Sequence, residues 1–340
     1  MNSRERVMRA VKYDNPDRMP IEIMGSATGL HEHGEKLRDL FIELGSDYGD
    51  ISGVEVRHPD PSEVTEDGVY RAYKTDEWGI TWEHNIYGAW GHPYKRPLDD
   101  LSNLDGFVPP DPPEMSGPEF EQAKRDAAIH RETWYHRGGA GNIFEIMHSM
   151  RKFEDVLMDI CDDTPEINRL ADMLFDLRGK QVEYALAMDA DEVGFGDDYG
   201  TQEALILSLP VWRRFFKPRY EEIMRPIREA GKNIHFHSCG YIQPLLPDLA
   251  ELGVTGIWPQ LPVYDIAELR AECRDLGMAV ALHPDRSHLM TNGTPDDVRA
   301  EIKRLRGVFD KPEGGAWWFI EIDTGFPWEN IVALCEAVRG

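Results

Sequence analysis

The stretch Asn233–Gln260, NIHFHSCGYIQPLLPDLAELGVTGIWPQ, holds one full turn of the pattern on which the chain is built. Asn233–His237 reads as a short strand, Pro244–Leu252 has helical spacing, and Gly256–Trp258 begins a second strand-like run. A strand that returns to the sheet through a helix lies parallel to its predecessor. The unit repeats on both sides. Glu192–Phe195 leads into a helix from Pro210, Ile266–Leu276 follows Gly256–Trp258, Ala279–Leu282 precedes Pro295–Leu305, and Trp317–Ile322 precedes Glu329–Val338. Five strand-helix units in series predict a parallel sheet. Met19–Ile23 and a weaker run at Trp134–His136 bring the strand set close to eight. Because polar, reactive residues recur at the C-terminal strand ends, the expected fold is α/β, a closed (β/α)8 TIM-like barrel and not an open doubly wound sheet.

Upstream of these units, Ile143, Ile146, Met147, Met150, Phe153, Leu157 and Ile160 keep the three-and-four spacing of a helix face. Ile167, Leu170, Leu174 and Leu177 repeat it beyond a break at Asp162–Pro165. Alternation in Val69–Tyr73 and Ile80–Trp82 predicts a hairpin broken at Trp78–Gly79, an N-terminal excursion from the main fold. Proline and glycine gather between Pro93 and Pro118 as a surface connection. The reading is one barrel domain over residues 1–340 with an inserted β-rich and loop segment at about 51–118.

A formal net charge of −25 argues against a nucleic-acid partner, since phosphate contacts need clustered Lys and Arg. With 41% hydrophobic residues the chain can bury an ordinary core. The N-terminus is charged throughout, and no window reaches the roughly 18 apolar residues of a membrane span. The four cysteines have no framework spacing. These features predict a cytoplasmic protein without a membrane partner, and they leave a homodimer open.

The strand NIHFHSCG carries the sharpest chemical signal. His235, His237 and Cys239 are two residues apart and share one face. His237 and Cys239 could therefore meet one ion, zinc being the metal that takes imidazole and thiolate together; the competing reading is a hydrogen-bonded buried histidine beside a small apolar cysteine. Comparable strand ends offer Asp197 and Asp198 in GDDYG, His283 and Asp285 in LHPD, and Glu321 and Asp323 in IEID. So many carboxylates around one cavity call for a cation, for protonation, or for duty as helix caps, to which about half of them are assigned. GGAGN at Gly138–Asn142 lacks the dinucleotide-binding spacing and reads as a turn. Ser238 stands on an ordinary strand end, outside any G-x-S-x-G elbow.

Several segments together resemble the uroporphyrinogen decarboxylase superfamily, and within it the corrinoid-linked methyltransferase branch. They are ERVMRAVKYDNPDRMPI at Glu5–Ile21, DEWGITW at Asp76–Trp82, GDDYGTQEALILSLPVWRRFFKPRY at Gly196–Tyr220, HFHSCGYIQPLLPDLAELGVTGIWPQ at His235–Gln260 and PWENI at Pro327–Ile331. The resemblance implies a TIM-like barrel with its site at the C-terminal mouth. It also implies zinc held by His237, Cys239 and a further cysteine near the last strand. Counting back from Glu329–Asn330 without gaps puts that third position on Ile320, next to Glu321, so the thiolate is missing and Glu321 is the substitute ligand offered. The decarboxylase's paired-arginine segment corresponds to IEIMGSATGLHEHG, which contains no arginine.

What the resemblance implies for function is zinc-dependent methyl transfer between a small O- or N-methylated substrate and a corrinoid (cobalamin) carried by a partner protein. One thiolate in place of two leaves the ion more positive, which suits an oxygen or nitrogen methyl donor and demethylation of the substrate. Glu145 and Asp198 are the candidates to hold the leaving group's proton. Asp197, His235, His283 and Asp285 are assigned to substrate, with His235 also able to orient a metal ligand. Two other readings compete, a decarboxylase of tetrapyrrole acids and a non-catalytic relative that only binds a ligand.

Overall fold

A computed structural model describes residues 1–340. Its strands, in chain order, are β1 (Ile21–Met24), β2 (Ala72–Thr75), β3 (Thr81–His84), β4 (His92–Lys95), β5 (Arg137–Gly141), β6 (Glu192–Gly196), β7 (Asn233–Ser238), β8 (Gly256–Pro259), β9 (Ala279–Leu282) and β10 (Ala316–Glu321). Seven of them form one parallel sheet in the order β1-β10-β9-β8-β7-β6-β5, and β2-β3-β4 form a separate antiparallel sheet. Each neighbouring pair from β5 to β10 is joined through helix, as the five repeated units predict.

Strand alternation sorts the side chains into two cores. On β10, Trp318 and Ile320 face the surrounding helices, while Trp317 and Phe319 pack inside the curled sheet with Ala279, Ala281 and Tyr135. The N-terminal helix Ser3–Val11 presses Val7 and Val11 into that inner cluster and closes the end of the barrel opposite the strand C-termini. At the mouth end the lumen is hollow, because inward positions on β5 and β6 are Gly139, Gly194 and Gly196.

Seven strands pair where about eight were expected. The gap between β1 and β5 is bridged at a single residue, Asp47, whose N–H donates to the Ile21 carbonyl and whose carbonyl accepts from Tyr135 N–H. The buried Asp47 carboxylate is held by Arg6, Arg18 and the Ile21 N–H. Side chains close the rest of the seam. Arg137 on β5 pairs with Glu22 on β1 and with Glu192 on β6, and Trp317 Nε1–H donates to Glu22 at 2.9 Å.

Two local expectations need correction. The strand anticipated at Trp134–His136 lies instead at Arg137–Gly141 and includes most of the GGAGN run read as a turn. Glycine has low strand propensity, but the parallel ladder with β6 and close packing override it: a Cβ on Gly138 would lie 2.5 Å from the Ala185 Cβ. The hairpin is a three-stranded sheet, because His92–Lys95, at the start of the proline-rich connection, pairs with β3.

Candidate functional site

Two glycine-bearing loops build the site. The GDDYG loop after β6 and the HSCG loop after β7 lie back to back, and a Cβ on Gly240 would fall 2.1 Å from the Gly200 carbonyl oxygen. Gly240 also has φ of +75°, which L side chains rarely adopt. The contact presents Asp198 to the neighbouring strand end, where its Oδ1 accepts from Cys239 N–H at 2.6 Å.

The ligand atoms of Asp198, His237 and Cys239 lie within 4.8 Å of one another. His237 Nε2 stands 3.6 Å from Cys239 Sγ and 3.5 Å from Asp198 Oδ1. His237 Nδ1–H donates to the Trp258 carbonyl at 2.9 Å, and a carbonyl can only accept. The neutral ring therefore keeps a bare Nε2 toward the thiol and the carboxylate. Burial, partly opposed by Asp198, lowers the His237 pKa and favours that neutral form. Burial and then Asp198 push the Cys239 thiol up to about 12. A nitrogen, a sulfur and an oxygen donor at one point fit a borderline-soft divalent cation such as zinc, which would offset the penalty on the thiolate.

The group lies in the wall of a cavity of about 1710 Å³ that extends from the barrel mouth to the antiparallel sheet and includes Trp78, Trp82 and Trp90 in its lining. On the barrel side the Trp258 ring lies 4.0 Å from those of His237 and Phe319. Its indole N–H donates to His283 Nδ1 at 3.1 Å, so the same tryptophan sets the tautomer of a second histidine.

The other expected site residues divide. Glu145 lines the cavity and bonds His148 Nε2 at 3.0 Å. Asp197 is only 1% exposed and accepts from the N–H groups of Ile143 and Glu145 and from the Tyr220 hydroxyl, so it caps the helix Phe144–Met150. Burial raises its carboxyl to about 7 against the pull of those donors. Asp285 closes the turn ahead of the helix Leu289–Asn292, accepting from Ser287 and His288 N–H. His235 lies a layer below His237 against Trp317 and makes no hydrogen bond through Nδ1. Glu321 faces the lumen while Ile320 faces the helices, yet Glu321 pairs with Arg286 and stands outside the three-residue group. The oxygen brought to His237 and Cys239 is that of Asp198.

Trp258, His148 and Arg178 were not singled out as site residues. Trp258 had a legible signal, a tryptophan at a strand end two residues after an inward glycine; the other two sit on helices whose periodicity reads only as core.

A methyltransferase from Methanosarcina mazei shares the fold with a TM-score of 0.61 over 99% of this chain and 98% of its own, at 17% identity. A dihydropteroate synthase from Xanthomonas albilineans matches 58% of this chain and 65% of its own at 16% identity, with a TM-score of 0.33. No curated protein matches the chain. The family model described as uroporphyrinogen decarboxylase matches residues 95–340, a span that takes in β5 to β10 and every member of the His237 group, and the chain belongs to that family.

Proposed function

We propose that the protein is a zinc-dependent methyltransferase that moves a methyl group between a small O- or N-methylated substrate and a corrinoid held by a partner protein. The observation that carries this reading is the convergence of the bare His237 Nε2, the Cys239 thiol and the Asp198 carboxylate in the cavity wall. The shared fold of the Methanosarcina mazei methyltransferase and the family membership support it. In this reading Asp198 takes the donor place expected of Glu321.

When bound, zinc supplies Lewis-acid polarisation of the heteroatom that carries the methyl group. Trp258 holds His237 in its ligating tautomer and offers its ring as a floor. Glu145, bonded to His148, holds or moves the proton at the leaving heteroatom. The β2-β3-β4 sheet lies over the mouth and excludes bulk water from the reacting atoms. The Asp198 carboxylate restores the formal charge of the missing thiolate but is a harder, less electron-donating ligand, which suits an oxygen or nitrogen methyl donor and the demethylating direction.

The test is metal content and turnover together. Protein purified without oxygen is expected to carry near-stoichiometric zinc and to convert cob(I)alamin to methylcobalamin with a methoxylated aromatic, a methylamine, betaine or methanol. His237→Ala and Cys239→Ser should each lose both. Full metal content and methyl transfer in these two variants would reject the mechanism.

The cavity volume and its five basic residues, Lys74, Arg96, Arg137, Arg178 and Arg286, favour tetrapyrrole-acid decarboxylation as a second reading. It is the weaker one, because Lys74, Arg137 and Arg286 are already paired with acids of the chain. Binding of a porphyrin acid by protein that is free of zinc and gives no methylcobalamin would reverse the order.

A further inference from the structure

Two arginines in the cavity wall, Arg96 and Arg178, form no ion pair with any carboxylate of the chain, in contrast to Arg137 and Arg286. Arg178 is the more telling of the two. It rises from the long helix Pro165–Ala187 and is only 6% exposed. Its Nε donates to the Asn142 carbonyl at 2.9 Å and its Nη1 to the Gln181 side chain at 2.9 Å, both neutral acceptors. Gly141 lies so close to the guanidinium that a Cβ there would stand 2.9 Å from Cζ, and the Trp78 ring centroid lies 5.3 Å from Cζ. Nη2 has no partner in the protein and is not sealed from solvent, so it is the nitrogen left to the cavity.

An isolated buried cation is costly unless something compensates it. Asp197 and Glu77 are the acids that act on Arg178, but neither bonds to it, and Asp197 is already engaged by Ile143, Glu145 and Tyr220. Burial lowers the Arg178 pKa despite both of them. Arg96 lies in the wall of the same cavity, and its buried Nε has no partner.

We infer that Arg178, seated on Trp78, is a specificity-determining residue that receives one carboxylate of the substrate, so that the small methylated compound handled at this site is a monocarboxylic acid. The inference rests on the methyltransferase reading only for the word methylated. A free Nη2 in a cavity wall that holds one other unpaired arginine suits one anionic group, and the pairing of Arg137 and Arg286 leaves no comparable set for a molecule with many carboxylates.

The test is a binding comparison that does not require turnover. 4-Methoxybenzoate and 4-methoxybenzamide differ in charge and little in shape, and each can be titrated by calorimetry and by the tryptophan fluorescence of the zinc-loaded protein. The wild type is expected to bind the acid roughly ten- to hundredfold more tightly than the amide. Arg178→Gln should abolish that preference with amide binding retained, and Arg178→Lys should keep part of it. Inorganic phosphate should not displace the acid at equal concentration if a carboxylate is the group recognised. Equal binding of acid and amide by the wild type, an unchanged preference in Arg178→Gln, or displacement by phosphate would each overturn the inference. The wild-type comparison keeps the test decisive even if Arg178→Gln fails to fold. Acid preference without methyl transfer to cob(I)alamin would sink the proposed function and leave the Arg178 assignment standing; methyl transfer from uncharged donors alone would do the reverse.

Discussion

Burial keeps three histidines neutral around the site, and their proton balance runs against that of the buried carboxyls, Asp197 foremost. His235 and His283 are held well below the ordinary imidazole value of 6.5 and His237 below it, in each case chiefly by burial. The unfolded chain takes up protons at these positions below about pH 6.5 and the native protein does not, so each removes stability as the pH falls through that value. Asp197 has the opposite sign. Its carboxyl sits at about 7 in the fold against an ordinary 3.8, so its contribution is present at low pH and is lost as the pH rises through 7. Burial raises Glu22 and Glu321 in the same sense as Asp197 and lowers His31, His33 and His136 in the same sense as the site histidines, so six groups against three predict that the metal-free protein loses stability between about pH 6.5 and 5. Thermal midpoints across that range should show the loss, and Asp197→Asn should steepen it. At this scale the sequence pointed to His237 and Cys239 because a two-residue spacing on a strand is enough to place both on one face. Asp198 could not be separated from Asp197 or Glu321 in the same way. Which carboxylate reaches the pair depends on how two loops approach each other, and nothing in their local pattern encodes that distance.

Elements bring the site together through close backbone contact. Gly200 has no room for a side chain, since a Cβ would lie 2.5 Å from the Tyr241 backbone nitrogen. Gly200→Ala is expected to push the two loops apart and weaken the proposed zinc binding by about tenfold or more although Gly200 ligates nothing, as loss of remote support of a metal site commonly does. Competition with a chromogenic chelator measures it, and wild-type affinity in the variant would show that the loops do not set the geometry. The strand seam offers a second test. Arg137→Met would leave Glu22 and Glu192 facing each other without their shared cation, and the expected loss is about 3–5 kcal/mol in urea unfolding. Six of the parallel strands were legible, five because apolar runs alternate with helical spacing and β1 as the short run at Met19–Ile23. β5 was not, because three of its five residues are glycine, and the partners that make it a strand lie some fifty residues downstream.

For the whole molecule, the hollow at the mouth follows from glycine at inward strand positions more than from any loop. Gly194→Leu would project a side chain into the cavity beside Arg137, whose Cδ lies 3.4 Å from the position of the new Cβ. The expected outcome is a stability change of no more than about 1.5 kcal/mol with ligand binding largely lost. Thermal unfolding and calorimetric titration of one preparation separate the two effects. The excursion was legible only as β-rich, and its place in the cavity wall depends on tertiary folding that alternation cannot show. No helix is long and apolar enough to cross a membrane.

The single-residue bridge at Asp47 has a mechanical consequence. An uninterrupted barrel can widen its bore only by breaking a full ladder of hydrogen bonds, whereas a ring cut at one place can spring there and leave its other ladders intact. Here the cut is crossed by two backbone hydrogen bonds and a side-chain clasp, between β1 and β5, and both strands run up to the mouth. The barrel is in effect a split collar, with β8 standing halfway round from the slit.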